Sequence, residues 1–315
     1  MAQSGNSLSG QLIVLIGGSG FFGKHLAQAL LDKGARVRIA SRNPERAFAL
    51  KPLGNMGQLQ FARCDMIRPE SLAVVLAGAS AVVNLVGAFK GDLDGLQGAG
   101  AGRLAALARD AGAGAFVQIS AIGADAASSV GYARTKASGE AAVLAAFPTA
   151  SVLRPSLLFG PDDSFTNLFA GLIAMLPVLP VFGPEAQLQP LFVDDAADAV
   201  VSALADPARF GGKTFELGGP EVVTMLELHQ RLAAAQGRKT LLVPLPDVAS
   251  AAFATMTGWL PGAPLSRGQW TLLKAGNVVS GKLPGCKEMN ITPRPLGLFL
   301  DRWMVRFREH GRFGV

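Results

Sequence analysis

The sequence is poor in the residues on which metal sites and disulfide scaffolds depend. Its 315 residues include two cysteines, Cys64 and Cys286, and three scattered histidines, which offer neither a disulfide framework nor the ligand spacing of structural zinc. No metal is expected, and a reducing compartment is the default. Charged residues are also scarce, at 17% against 50% hydrophobic, and no low-complexity tract appears, so disordered and fibrous classes are excluded. A chain of this length and apolarity buries a sizeable core in one or two domains. The opening MAQSGNSLSG lacks the basic n-region and long apolar h-region of a secretory signal. Residues 1-10 are therefore expected to be a disordered N-terminus and the protein to be cytoplasmic.

Net charge is +6, and all of the excess lies at the end of the chain. Residues 1–266 hold 20 Lys+Arg against 20 Asp+Glu, whereas 267–315 hold 9 against 3. A neutral body with a basic tail argues against a nucleic-acid partner. It leaves the tail either as a docking surface for an anionic membrane or acidic partner, or as an ordinary solvated face.

Short apolar, β-branched runs at Gln11–Ile16, Val37–Ala40, Leu59–Ala62, Ala81–Val86, Phe116–Ser120 and Ser151–Leu153 alternate with alanine- and leucine-rich stretches such as Phe22–Lys33, Gly102–Ala111 and Tyr132–Ala146. Buried parallel strands read as continuous apolar runs, and strands alternating with helices form βαβ units. The expected class is α/β, a Rossmann-type doubly wound parallel sheet that binds its ligand at the carboxyl ends of the strands. After Pro155 prolines cluster at positions 177, 180, 184 and 190, and a smaller lobe is expected. The division read from the sequence is 11-160 for the dinucleotide-binding domain, with 188-206 returning to it, and 161-187 and 207-315 for an interleaved C-terminal lobe. Thr224 with Glu227 predicts a capping box. Ser164–Pro184 holds no charge over 21 residues, but Pro177 and Pro180 each remove a backbone donor that lipid could not replace. That run, and the uncharged Val248–Ser266, are expected to form lobe core or the wall of an apolar substrate cavity.

The loop Gly17-Gly18-Ser19-Gly20-Phe21-Phe22-Gly23 follows the first strand and opens the first helix. Glycines there let the backbone turn tightly and approach a pyrophosphate, whose charge meets free amides at the positive end of the helix. Gly18–Lys24 also spells the phosphate-loop pattern of nucleoside triphosphatases, but His25 stands where magnesium needs a Ser or Thr hydroxyl. His25 is read as a first-turn helix residue. The second strand ends in Ser41-Arg42, with no carboxylate for the ribose hydroxyls. A guanidinium fork there suits a 2′-phosphate, so NADP(H) is preferred over NAD(H). Asp65 and Met66 follow the third strand, and Asn84, Leu85, Val86 and Gly87 end the fourth, all placed to meet the cofactor. The sole tyrosine, Tyr132, precedes Lys136 by four residues. On a helix the two share a face, so the ammonium is expected to lower the phenol's pKa and reach a ribose hydroxyl. The pair suits proton transfer to or from a carbonyl, although a tyrosine packed beneath a solvated lysine would give the same spacing.

The glycine loop, Asn84-Leu85-Val86-Gly87, Tyr132/Lys136 and the run Arg154–Pro161 together resemble the short-chain dehydrogenase/reductase superfamily in its extended or atypical branch. Within it, FPTASVLRPSLLFGPDDSFTNLFA, QPLFVDDAADAV and PLSRGQWTLLKAGNVV resemble bacterial relatives of the nucleotide-binding accessory subunit nine of respiratory complex I. The resemblance spans nearly the whole chain. It implies a nicotinamide dinucleotide, with Ile119 and Ser120 at the end of the fifth strand beside it and Pro155, Ser156 and Leu157 near the nicotinamide. It also implies a hydroxyl beside Tyr132. Ala121 aligns with that position and Ser120 stands one place early, on the opposite face of a strand.

Two functions follow from the resemblance. One is an oxidoreductase on an apolar, quinone- or lipid-like substrate, with Tyr132, Lys136 and Ser120 catalytic. The other is a nucleotide-stabilised accessory or assembly protein of a membrane respiratory complex. Leu296–Glu309 reads as an amphipathic helix with Leu296, Phe299, Leu300, Trp303, Met304 and Phe307 on one side. Such a helix would lie peripherally on the inner face of a membrane or on a partner complex, or pack on its own lobe.

Overall fold

The computed structural model describes residues 8–257, 267–309 and 311. The N-terminal disorder expected for residues 1–7 lies outside the described residues, as does the 258–266 part of the second uncharged run. The chain divides into two compact units. The first comprises Met1–Pro155, Val193–Leu217 and Gly281–Thr292, and the second Ser156–Phe192, Gly218–Ser280 and Pro293–Val315.

In the first unit, strands and helices alternate in chain order: β1 (Leu12–Ile16), α1 (Phe21–Asp32), β2 (Arg36–Ser41), β3 (Leu59–Arg63), α2 (Pro69–Leu76), β4 (Ala81–Asn84), α3 (Leu93–Gln97), α4 (Ala99–Asp110), β5 (Ala115–Ile119), α5 (Gly131–Ala146) and β6 (Ser151–Pro155). One seven-stranded sheet runs in the order Thr214–Leu217, β6, β5, β4, β1, β2, β3, and its strands pair in parallel throughout. This is the α/β, Rossmann-type doubly wound sheet expected from the sequence. Strand order reverses beside β1, which opens a crevice at the carboxyl edge between β1 and β4.

β1 is buried along its whole length, as its LIVLI composition requires of a central parallel strand. Leu12, Val14 and Ile16 share a core cluster with Leu72, Val75 and Leu76 of α2, Leu104 and Ala105 of α4 and Val143 of α5. The intervening Ile13 and Leu15 are fully buried and by the strand's period face the other side of the sheet, where α1 packs against the helix Val193–Ala205. The close packing of α4 on α5 depends on small residues: a Cβ on Gly102 would stand 2.7 Å from the Ala142 Cβ.

The unit boundaries differ from those read in the sequence. Thr214–Leu217 adds a seventh strand, paired with β6 from Thr214↔Val152 to Leu217↔Pro155, and Gly281–Thr292 joins the same unit, where Pro284 accepts from the Glu216 amide at 2.9 Å. A short edge strand of mixed polarity carries too weak a period to be seen in the sequence. At the other end, Leu8 is buried and Gly10 donates to Gly34 at 2.9 Å, so these residues belong to the fold and not to the tail.

In the second unit, Asp163 caps the helix Ser164–Met175 by accepting from the Thr166 amide at 2.6 Å. This helix packs against Met225–Gln236, which begins with the expected Thr224/Glu227 capping box. Val178–Val181 pairs in parallel with Leu241–Pro244. The uncharged run is thus a helix and a strand, and its Met175, Leu176 and Val178 are exposed. An open surface depression in this unit is lined by Pro161, Asp301, Arg302, Trp303, Val305 and Arg306. The C-terminal segment is not one helix: Gly297–Trp303 is α-helical and Met304–Phe307 tightens to 3-10. Its apolar side is covered within its own unit, with Leu296, Leu300 and Met304 buried and Phe299 stacked on Phe192 at 4.0 Å. The face available for a membrane is therefore spent on packing. Among the described residues no helix is long and apolar enough to cross a membrane.

Candidate active site

The glycine loop leaves β1 at the carboxyl edge. Gly17 takes φ +81°, a left-handed conformation that L side chains rarely adopt. A Cβ on Gly18 would stand 2.8 Å from the Leu15 Cβ, and one on Gly23 2.5 Å from the Gly18 Cα. These two glycines let α1 pack tightly against the loop that feeds it. Gly20 is the N-cap of α1, and no side chain caps the helix, so its positive end is open to an anion. Ser19, Phe21 and Phe22 are only partly buried. His25 lies in the first turn of α1, as expected, and its Nδ1 sits 2.6 Å from Asp194 Oδ1, tying α1 to Val193–Ala205.

Two orphaned hydroxyls mark the same edge of the sheet. Ser41 Oγ at the end of β2 and Ser120 Oγ just after β5 are buried and have no hydrogen-bond partner within the protein. A buried unsatisfied hydroxyl is costly, and both residues stand where the sequence pattern expects the cofactor. With the uncapped helix and the glycine loop they form a donor set that fits a dinucleotide. Arg42, beside Ser41, is exposed, and its backbone carbonyl accepts from Arg63 Nε at 3.0 Å. Asp65 spends one carboxylate oxygen on the Ile67 amide at 3.1 Å, and Met66 is buried.

Asn84 behaves differently from a ligand-facing residue. It is fully buried, its Nδ2 donates to Gln118 Oε1 at 2.9 Å and its Oδ1 accepts from the Val86 amide at 3.1 Å. Its side chain joins β4 to β5 and fixes the start of the Leu85-Val86-Gly87 loop, whose Val86 side chain lies against Gly17. Nothing in the local sequence marks Gln118 as its partner, because the pairing is made across the sheet.

Lys136 lies in α5 and is 4% exposed. Its Nζ donates to the carbonyls of Val86 and Ile119, each at 3.1 Å, so one ammonium bridges the ends of β4 and β5. Burial pulls its pKa down to about 8, partly opposed by Glu140. Tyr132, one turn earlier, has its ring centroid 6.0 Å from Nζ. Its phenol is pushed up to about 12 by burial. This reverses the expected lowering: loss of hydration of the phenolate outweighs the field of an ammonium that is itself spent on two carbonyls. The tyrosine is neutral at physiological pH.

Two residues that sequence reasoning missed hold this corner together. Phe89, three residues beyond Val86, stacks on Tyr132 with ring centroids 4.3 Å apart and 18° between planes. Gln97, fully buried at the end of α3, accepts from the Ala88 amide at 3.0 Å and donates to Thr135 Oγ1 at 2.9 Å. An aromatic two places after Gly87 is the only hint the sequence holds. Of the last predicted group, Pro155 ends β6, whereas Ser156 and Leu157 belong to the second unit. There Ser156 Oγ donates to the Gln189 carbonyl at 2.6 Å, and the Leu157 amide donates to Asn277 Oδ1. Among the described residues no group of His, Cys, Asp and Glu could hold a metal ion.

A parallel sheet with this switch point, an open glycine loop at the first helix and a tyrosine–lysine pair beyond the fourth and fifth strands define a dinucleotide-binding oxidoreductase-type fold. The chain belongs to the NAD dependent epimerase/dehydratase family, which matches residues 13–218. It is 29% identical to the NADH dehydrogenase [ubiquinone] 1 alpha subcomplex subunit 9 of Arabidopsis thaliana, over 97% of this chain and 80% of that protein. It is also 31% identical to the ceramide reductase of Caulobacter vibrioides, over 75% of this chain and 74% of that one. Among solved structures, the triphenylmethane reductase of Citrobacter sp. superposes with a TM-score of 0.73 at 20% identity, over 93% of this chain and 99% of that one. The resemblance to complex I subunit nine is thus borne out, and so is nicotinamide dinucleotide as the family's cofactor.

Proposed function

We propose that this protein is an NADP(H)-dependent reductase of apolar carbonyl compounds. The observation that carries the reading is the Tyr132/Lys136 pair, with the buried Lys136 Nζ held by the Val86 and Ile119 carbonyls. The glycine loop and the open end of α1 would hold the pyrophosphate, Ser41 and Arg42 the 2′-phosphate, and Ser120 and Lys136 the nicotinamide end. The reduced cofactor, when bound, supplies a hydride to the carbonyl carbon.

Tyr132 holds the proton that the carbonyl oxygen needs. The phenol is protonated at neutral pH, the form that donates to a carbonyl, and because burial raises its pKa and weakens it as an acid, transfer depends on stabilising the phenolate as it forms. As the proton leaves, the Lys136 ammonium one turn away offsets the charge left on the phenol oxygen. The apolar covering of Tyr132 supports an apolar substrate.

A second reading has its own support: identity to a respiratory complex subunit that extends over 97% of the chain, together with Ala121 where the extended enzymes carry a hydroxyl. It makes this chain a nucleotide-stabilised accessory or assembly protein of a membrane respiratory complex. One experiment separates the two. The nucleotide carried by the purified protein is identified after denaturation, and its exchange is followed in a chase with NADPH and NADH. Exchange within minutes, with carbonyl-dependent NADPH oxidation that Tyr132→Phe abolishes at unchanged nucleotide affinity, is the expected result. A stoichiometric nucleotide that stays bound for hours without turnover supports the accessory role.

A further inference from the structure

Three side chains and two backbone carbonyls at the carboxyl edge of the sheet form a closed circuit of hydrogen bonds. Asn84 and Gln118 are register partners across β4 and β5, and both are buried in strands that are otherwise apolar. Asn84 Nδ2 donates to Gln118 Oε1 at 2.9 Å, Gln118 Nε2 to the Ile119 carbonyl at 3.1 Å, and the Val86 amide to Asn84 Oδ1 at 3.1 Å. Lys136 Nζ closes the circuit by donating to the Val86 and Ile119 carbonyls, each at 3.1 Å. The sense of every bond follows from the Val86 amide, which can only donate. It takes the Asn84 oxygen, which turns the Asn84 nitrogen towards Gln118; Gln118 must then present its own oxygen, and its nitrogen is left for Ile119.

A buried amide pair costs stability unless its groups are satisfied, and a satisfied network rigidifies what it joins. Two apolar side chains would serve the sheet as well. What the amides add is the placement of two carbonyls: Asn84 fixes the loop at Val86, and Gln118 meets the carbonyl of Ile119. Lys136 directs two of its three ammonium donors at them, and the third has no protein partner among the described residues. Gly87 leaves the space beside that ammonium open, since a Cβ there would stand 3.4 Å from Nζ. We propose that Gln118 is a positioning residue for the dinucleotide: by closing the circuit it sets the Lys136 ammonium so that the third N–H meets an oxygen of the cofactor's nicotinamide half. The proposal rests on the reading of Lys136 as a holder of the nicotinamide end. Gln118, 1% exposed, acts only through Lys136.

The test measures Kd on the full chain by calorimetry for NADP+ and NAD+, and for 2′,5′-ADP and ADP, the corresponding halves that lack the nicotinamide ribose. Gln118→Met keeps the length of the side chain and removes both amide groups. Gln118→Glu keeps the acceptor for Asn84, so that no buried donor is orphaned, and removes the donor to Ile119. Each variant is expected to weaken the dinucleotide that the wild type prefers about tenfold, as loss of one charged hydrogen bond would, and to shift the matching half-molecule less than about twofold. A purely structural role would weaken dinucleotide and half-molecule alike; that result, or an unchanged dinucleotide affinity, overturns the proposal. Lys136→Met separates this failure from failure of the reading beneath it. If Lys136→Met weakens the dinucleotide alone while neither Gln118 variant does, the role of Gln118 is refuted and the reading of Lys136 stands. If Lys136→Met leaves the dinucleotide as tightly bound as before, Lys136 does not hold the nicotinamide end, and the reading and the proposal fall together.

Discussion

Tyr132 and Lys136 both resist carrying charge, and burial is the cause in each. For Lys136 the folded pKa of about 8 lies below the ordinary 10.5. Between those values the unfolded chain holds a proton that the folded one has shed, so stability rises with pH across that window. For Tyr132 the folded value of about 12 lies above the ordinary 10.0, so its contribution is present below pH 10 and is lost as pH climbs towards 12. Cofactor-free protein is therefore expected to gain urea resistance from about pH 8 to about pH 10 relative to Lys136→Met, by about 3 kcal/mol at most. Denaturation midpoints across that range check it; parallel curves for the two proteins would contradict the burial argument. Because Tyr132 is the only tyrosine, tyrosinate absorbance reports on it alone and is expected to appear only well above pH 10.

At the scale of elements, the β1–loop–α1 unit depends on glycine for two separable reasons. Gly17 needs its backbone angle, whereas Gly23 needs the space: any Cβ there meets the Gly18 backbone at 2.5–2.6 Å. Gly23→Ala is expected to push α1 away from β1, lowering stability by about 2–4 kcal/mol and weakening dinucleotide binding more than tenfold. Thermal unfolding and nucleotide titration would show both effects, and an unaltered protein would mean that α1 moves freely. A second element-scale device is Arg154 on β6, bonded to Glu140 of α5 at 2.6 Å and 4.0 Å from Glu216 on the neighbouring strand. It neutralises two buried carboxylates at once and locks the helix bearing Tyr132 to the sheet.

At the scale of the whole molecule, the basic C-terminal segment is structural before it is anything else. Deleting residues 293–315 removes Leu296, Leu300 and Met304, all buried, and the Phe299 and Trp303 rings that stack against each other at 5.4 Å. Burial of a large apolar side chain is worth roughly 1.5–3 kcal/mol, so the truncated protein is expected to aggregate or to bind a hydrophobic dye strongly. Clean release from membranes with an intact, monodisperse fold would instead mean that the segment is a detachable anchor.

The sheet and its ligand edge were legible in the sequence because their signals are local. Six of the seven strands announce themselves as short apolar runs, Gly17–Gly23 follows the first of them, and Tyr132 and Lys136 meet by helical periodicity alone. Thr214–Leu217 escaped because an edge strand holding a buried glutamate, Glu216, has no clear period, and Gln97, Gln118 and Phe89 escaped because their partners are brought together only by folding. Sequence by itself determined the doubly wound architecture, the glycine loop and the proximity of the tyrosine to the lysine. Tertiary structure alone decided that the Tyr132 phenol is pushed up by burial and stacks on Phe89, that Asn84 braces the sheet, and that the amphipathic C-terminus is covered by its own unit. The physical reason is that backbone geometry follows from neighbouring residues, whereas desolvation and stacking follow from whatever distant chain arrives at the same place.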